Sequence, residues 1–222
     1  MSGHAGAAAG YPRRMSDDQR ALREALKRVA VALKESDLPY ALAGGYALWA
    51  RGGPEPDHDV DFLVAEQDAA RAADVLAGAG LKVVQPPEDW LFKVFVDDAM
   101  VDVLFRSSGV SVDRARLDDV DQIEVESVRM PVLAATDLMV DKLNALEEHA
   151  CDLGAVLPAA RAVREQVDWS EVARRTAANE FAAALLFLLG RLRVVEEQPG
   201  VQARAPDSRE IGQQAVDHQR RH

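Results

Sequence analysis

The run His58-Asp59-Val60-Asp61-Phe62-Leu63-Val64 sets two carboxylates two residues apart in a segment otherwise suited to the inside of a sheet. In a β-strand, residues two apart point to the same side. Asp59 and Asp61 should therefore project together, with α-carbons about 6.6 Å apart. Val60, Phe62 and Val64 would face the other way, into a core. Two carboxylates held this close repel each other unless a cation lies between them. Magnesium suits hard oxygen ligands and bound phosphates, so Mg2+ is the expected cofactor.

A third carboxylate follows the same logic. Asp102 stands between Val101 and Val103, flanked by Met100 and Leu104, in a strand expected to neighbour the first. Placed opposite Asp59 and Asp61, it completes a three-carboxylate set. Such a set can hold two metals about 3.5–4 Å apart, clamping the attacking and departing oxygens of a phosphoryl transfer. Upstream, Gly44-Gly45 lies between an apolar run and a helix start. Without side chains, that turn brings backbone N–H groups close to a triphosphate, and the helix start favours negative charge. A glycine pair alone is most often just a turn. An Asp-x-Asp about fourteen residues later makes the pattern specific.

The surrounding chain reads as α/β. Ser16 caps a helix to about Glu35, with Leu22, Leu26, Val29 and Leu33 on one face. Strands are expected at Tyr40–Ala43, His58–Val64 and Leu81–Val84. Leu91–Val96 and Met100–Phe105 read as a hairpin around Asp97-Asp98-Ala99, and one further strand covers Ile123–Val128. Between them, helices start at Tyr46 and run from Gln67 to about Ala77. From Thr136 onward the pattern is helical: Asp137 to about Ala150, Gly154–Glu165, Ser170–Ala177 and Glu180–Val194. The expected organisation is a tail at 1–15, an α/β core at 16–131, a helical part at 132–195 and a second tail at 196–222. Both tails are polar and lack periodicity, as disordered segments do.

The run Gly44-Gly45-Tyr46-Ala47-Leu48, then Asp59-Val60-Asp61, then Asp102 resembles the polymerase-β-type nucleotidyltransferase superfamily. The likeness is to its small bacterial branch: aminoglycoside and lincosamide nucleotidyltransferases and AbiEii-type toxins. It covers residues 38–105 firmly and 131–155 loosely. The resemblance implies a mixed sheet flanked by helices, and transfer of a nucleoside monophosphate from a triphosphate such as ATP to an acceptor, with release of pyrophosphate. Asp59 and Asp61 would be ligands to both metals, and Asp102 a ligand that also helps deprotonate the acceptor hydroxyl. Many members carry Gly-Ser in the turn. Gly45 replaces that serine here, as in the antibiotic-modifying and toxin branches. The toxin likeness extends to Lys142 and Asp152 and implies a tRNA end as acceptor and a cognate antitoxin as partner. The antibiotic-type likeness implies a small molecule. A homodimer fits either.

Other candidates are weaker. Lys142 falls in the apolar arc of Leu138, Met139, Leu143 and Leu146. It either meets an anion, with a triphosphate and Asp152 as candidates, or snorkels to solvent. Arg51 and Lys93 are within reach of phosphates, with solvent exposure the first expectation for each. Trp49 and Trp90 are expected in the core or the pocket wall, and packing is preferred to base stacking for Trp90 and Phe92. His58 beside Asp59 suggests phosphohydrolase chemistry, which needs more histidines than His4, His149, His218 and His222 offer. Ser107, Ser108 and Ser111 lack an adjacent histidine, and Cys151 is the only cysteine. That excludes a disulfide framework and a cysteine zinc site.

The net charge of −11 argues against tight unaided binding of nucleic acid. The arginines of the last third, Arg161, Arg164, Arg174, Arg175, Arg191 and Arg193, read first as solvated helix faces and second as a binding patch. The most apolar stretch, Phe181–Leu189, is far short of the roughly 20 residues that span a bilayer, and no targeting signal is visible. A cytoplasmic enzyme is therefore expected. The rival reading is a non-catalytic nucleotide-binding or protein-interaction module on the same fold.

Overall fold

The computed structural model of the chain describes residues 16–107 and 109–195. The two expected tails, 1–15 and 196–222, lie outside the described residues. The first helix, α1 (Asp17–Glu35), begins as the sequence indicates. Ser16 accepts from the Gln19 backbone N–H, and the Gln19 side chain returns the bond to the Ser16 N–H. Leu22, Leu26, Val29 and Leu33 are all buried.

Seven strands form one mixed sheet: β1 (Tyr40–Ala43), β2 (Val60–Val64), β3 (Lys82–Val84), β4 (Leu91–Val96), β5 (Ala99–Leu104), β8 (Val120–Val125) and β9 (Val128–Leu133). Their spatial order is β3-β4-β5-β2-β1-β9-β8. A separate two-stranded ribbon joins β6 (Arg106–Ser107) to β7 (Val110–Ser111). One face of the sheet is apolar. Val60, Phe62, Val94, Val101 and Val103 are fully or almost fully buried there, and α1 packs across β2, β4, β5 and β9. The Tyr40 hydroxyl anchors the contact by donating to the Ala30 carbonyl of α1. The other face carries α2 (Gly44–Ala50) and, beyond it, α4 (Ala135–Asn144). The remaining helices are α3 (Ala69–Gly78), α5 (Leu153–Val163), α6 (Trp169–Arg175) and α7 (Glu180–Arg191). No helix among the described residues is long and apolar enough to cross a membrane.

Several elements depart from the sequence reading: the helix expected from Asp137 to about Ala150 ends at Asn144, and three others differ for local reasons. The single strand expected over Ile123–Val128 is a hairpin, β8 and β9, turning at Glu126-Ser127. Both turn residues have positive φ, 50° and 65°, as a tight two-residue hairpin turn requires. The sheet consequently runs on to Leu133, past the 131/132 boundary, and the helical part starts at Ala135. The 91–105 hairpin turns on two residues, Asp97-Asp98, and not three, which moves its register by one. Finally, β2 begins at Val60 and leaves Asp59 exposed just before it. Its neighbour β1 ends at Ala43, opposite Asp61, because the chain turns there into α2.

Three of the six arginines named in the last third meet carboxylates. Arg174 pairs with Glu171, Arg175 with Asp137, and Arg164 with Glu165.

Candidate active site

Strand pairing builds a row of side chains across the polar side of the sheet. β1 pairs antiparallel with β2 and sets Ala43 beside Asp61. β5 flanks β2 in parallel and sets Asp102 beside Asp61. β4 pairs antiparallel with β5 and sets Lys93 beside Asp102. Direct cross-strand partners share a face and lie about 5 Å apart. Asp61, Asp102 and Lys93 are therefore consecutive neighbours.

The glycine turn closes over this row. Gly44 has φ +58°, a conformation side chains rarely adopt, and a methyl group on it would fall 1.8 Å from Asp61 Oδ2. Gly45 is constrained too: a methyl there would lie 2.9 Å from Pro56 Cβ. The Gly45 backbone amide lies close enough to Asp61 to favour its charged form.

Asp61 is electrostatically burdened. Its carboxyl is pushed up to about 7, chiefly by loss of solvent and then by the charges of Asp102 and Asp59. The Lys142 ammonium and the Gly45 amide pull in the opposite direction without prevailing. Asp102, by contrast, has a partner. Lys93 Nζ donates to its Oδ1 at 2.9 Å and Oδ2 at 3.3 Å, and approaches Met100 Sδ at 3.4 Å. The expectation of a solvent-facing Lys93 is corrected here, since its side chain is 25% exposed. The signal lay in the hairpin: counting outward from a two-residue turn puts Lys93 opposite Asp102, whereas a three-residue turn sends it to the other face.

A cavity of about 620 Å³ opens beside the row. Gly44, Gly45 and Asp61 line it, and so do Leu138, Asp141 and Lys142 of α4. Leu63, Leu104 and Trp90 line the part farther along the strands, and Trp90 is 41% exposed. Two ion-pair networks brace the rim. Asp141 accepts from Arg116 and from Ser107, and Arg106 bridges Glu66 and Asp89. Asp141, Arg106 and Ser107 were not singled out as cavity residues from sequence, because only the folded β6–β7 ribbon brings Arg106 and Ser107 to it and only the packing of α4 brings Asp141.

Two further candidates lie elsewhere. Arg51 is not solvent-facing: its side chain is only 6% exposed. It donates to the carbonyls of Leu133 and Val132 and to Asp121. Asp152 caps α5, accepting from the Ala155 N–H, and does not line the cavity. Lys142 does line it, half-buried, with no hydrogen-bonded or ion-paired carboxylate among the described residues. Phe92 is buried in the core.

The donor set fits a hard divalent cation in chemistry: three carboxylates, one of them held at an ionisation cost that a cation would remove. As the side chains stand, no three His, Cys, Asp or Glu groups among the described residues converge closely enough to chelate one. Asp102 is turned to Lys93. Asp59, Asp61 and Asp102 would hold the ion once Asp102 is released.

Solved structures with this architecture are known. The antibiotic-resistance factor ANT(2'')-Ia, in its solution structure, aligns with TM-score 0.55 and 14% identity over 78% of this chain and 99% of that one. Its crystal structure in complex with adenylyl-2''-tobramycin aligns with TM-score 0.52 and 14% identity over 78% and 98%. The lincosamide antibiotic adenylyltransferase LnuA, solved with lincomycin bound, aligns at 0.46 and 10% over 65% and 97%. At these identities the likeness to ANT(2'')-Ia establishes a nucleotidyltransferase-like fold. No curated protein matches the sequence. The model of one family, however, matches residues 10–195, which takes in the glycine turn, the three aspartates and the helical wall with Lys142. By that match the chain belongs to the uncharacterised nucleotidyltransferase family and is a nucleotidyltransferase.

Proposed function

We propose that the protein transfers a nucleoside monophosphate from a nucleoside triphosphate to a hydroxyl of a small, cationic acceptor, with magnesium as the metal. The observation that carries this is the juxtaposition at Asp61: a carboxyl pushed up to about 7 beneath Gly44, beside Asp102, opening on a cavity that Lys142 also lines.

In this reading the triphosphate lies between the glycine turn and Lys142. The lysine has no carboxylate bonded to it among the described residues and meets the phosphate charge as a donor. Asp59, Asp61 and Asp102 would hold the metal, which when bound would neutralise the developing charge on the phosphoryl oxygens. Asp102 accepts the proton of the acceptor hydroxyl. The new P–O bond forms at the α-phosphate as the bond to pyrophosphate breaks in line. The base and sugar occupy the apolar part of the cavity along Leu63, Leu104 and Trp90.

For the acceptor, a small molecule is favoured over a tRNA end. The chain carries a net charge of −11, and the charges of Asp59 and Asp102 both act on Asp61, a field that attracts a cation and repels a phosphate backbone. ANT(2'')-Ia, with the same fold, has been solved with an adenylylated aminoglycoside.

The test is calorimetric titration of each nucleoside triphosphate with magnesium and with EDTA, followed by incubation of labelled nucleotide with aminoglycosides, lincosamides and total tRNA. Magnesium-dependent binding with label in a small-molecule fraction is expected. Label in RNA would overturn the acceptor assignment. Binding indifferent to EDTA would overturn the metal site.

A further inference from the structure

The ion pair between Lys93 and Asp102 is not required by the fold. β4 is fixed to the core by Phe92, Val94 and Val96, on the opposite face from Lys93. The ammonium instead reaches both oxygens of the one carboxylate that the nucleotidyl-transfer reading needs free. A carboxylate offers about four lone-pair sites in its plane, and a donor bonded to both oxygens occupies the approach a metal would use. The two cations also repel. An ammonium about 3 Å from the carboxylate and a divalent ion on the same carboxylate would sit within a few ångströms of each other.

We propose that Lys93 competes with a divalent cation for Asp102, holding the carboxylate in the metal-free protein and giving it up when the metal is bound. The inference rests on the reading of Asp59, Asp61 and Asp102 as metal ligands. It assigns Lys93 as a positioning residue acting through Asp102, not as a contact to substrate. Its consequence runs against ordinary intuition for a site mutation: deleting the lysine charge strengthens metal binding. A lysine that merely supported the strand would have the opposite effect, because its loss would loosen Asp102 and weaken every ligand interaction.

Nucleotide-free full-length protein is titrated with Mn2+ and followed by calorimetry and by the loss of the free-ion paramagnetic resonance signal. Wild type, Lys93→Met, Lys93→Arg and Asp61→Asn are compared. Lys93→Met keeps the apolar stem beside Met100, and Lys93→Gln serves if the methionine variant unfolds at a lower temperature than wild type. The expected result is Mn2+ binding about tenfold tighter in Lys93→Met or Lys93→Gln, with Lys93→Arg close to wild type. Equal or weaker binding in the neutral variants, while Asp61→Asn loses it, overturns the Lys93 assignment and leaves the metal site standing. Absence of Mn2+ binding in all four proteins overturns both.

Discussion

The Gly44 α-carbon and the Asp61 carboxylate approach so closely that a single methyl group on the glycine would fall 1.8 Å from Oδ2. Gly44→Ala therefore has to displace the aspartate or the turn, and it adds the strain of φ +58°. We expect a loss of at least about 2 kcal/mol in unfolding free energy together with loss of nucleotide binding. Chemical denaturation and calorimetry read the two effects. Unchanged nucleotide affinity in Gly44→Ala would remove the turn from the site.

Asp61 should make the metal-free protein pH-sensitive in a particular sense. Its carboxyl is raised from 3.8 to about 7 in the folded state, so between those values the folded chain holds a proton that the unfolded chain has released. The stability it contributes is present at low pH and is lost as pH rises toward and through 7. Asp61→Asn should therefore be more stable than wild type above pH 7, by an amount on the order of 3 kcal/mol, and the difference should shrink toward pH 4. Thermal melts of both proteins in EDTA across pH 4–8 test this. A difference independent of pH would contradict the burdened carboxyl.

Lys142→Ala should weaken nucleoside triphosphate binding about tenfold or more and leave the thermal midpoint nearly unchanged, since no hydrogen bond or ion pair among the described residues is lost. An unaltered affinity would return Lys142 to the role of a solvent-seeking side chain.

Arg51→Ala should do the reverse. The guanidinium serves the Leu133 and Val132 carbonyls at the end of β9, and its removal leaves them short of a donor. A loss of about 2–3 kcal/mol in stability with unchanged nucleotide affinity is expected. Denaturant midpoints and calorimetry together check it.

Tyr46→Phe should be neutral or stabilising by up to about 1 kcal/mol, because the buried Tyr46 hydroxyl has no hydrogen-bond partner among the described residues. A marked loss of stability on denaturant unfolding would show that the hydroxyl is satisfied after all.

Much of the frame was legible because its signals are local. The Ser16 capping box, the Tyr40–Ala43 run and the alternation around Asp102 each declare themselves within a few residues. What was lost depended on turn length and register. Glu126-Ser127 carries none of the glycine or asparagine that usually marks a two-residue hairpin, and Pro131 reads as a strand breaker, so β9 stayed hidden. Likewise the Lys93–Asp102 contact turns on whether Ala99 belongs to the turn or to the strand. The rim network of Asp141, Arg116 and Ser107 joins segments 25 to 34 residues apart, and no periodicity reports such a contact.

The two walls of the cavity hang from adjacent strands. Gly44 follows directly on β1, and α4 with Lys142 follows directly on β9, which pairs in parallel with β1 through Leu42 and Val132. Spreading the walls like a jaw would mean tearing one strand from its neighbour in the middle of the sheet. In the proposed function, the gap that would hold a triphosphate is accordingly set by the spacing of the strands. Trp90 and the β6–β7 ribbon line the remainder of the cavity, so turnover should respond to changes there.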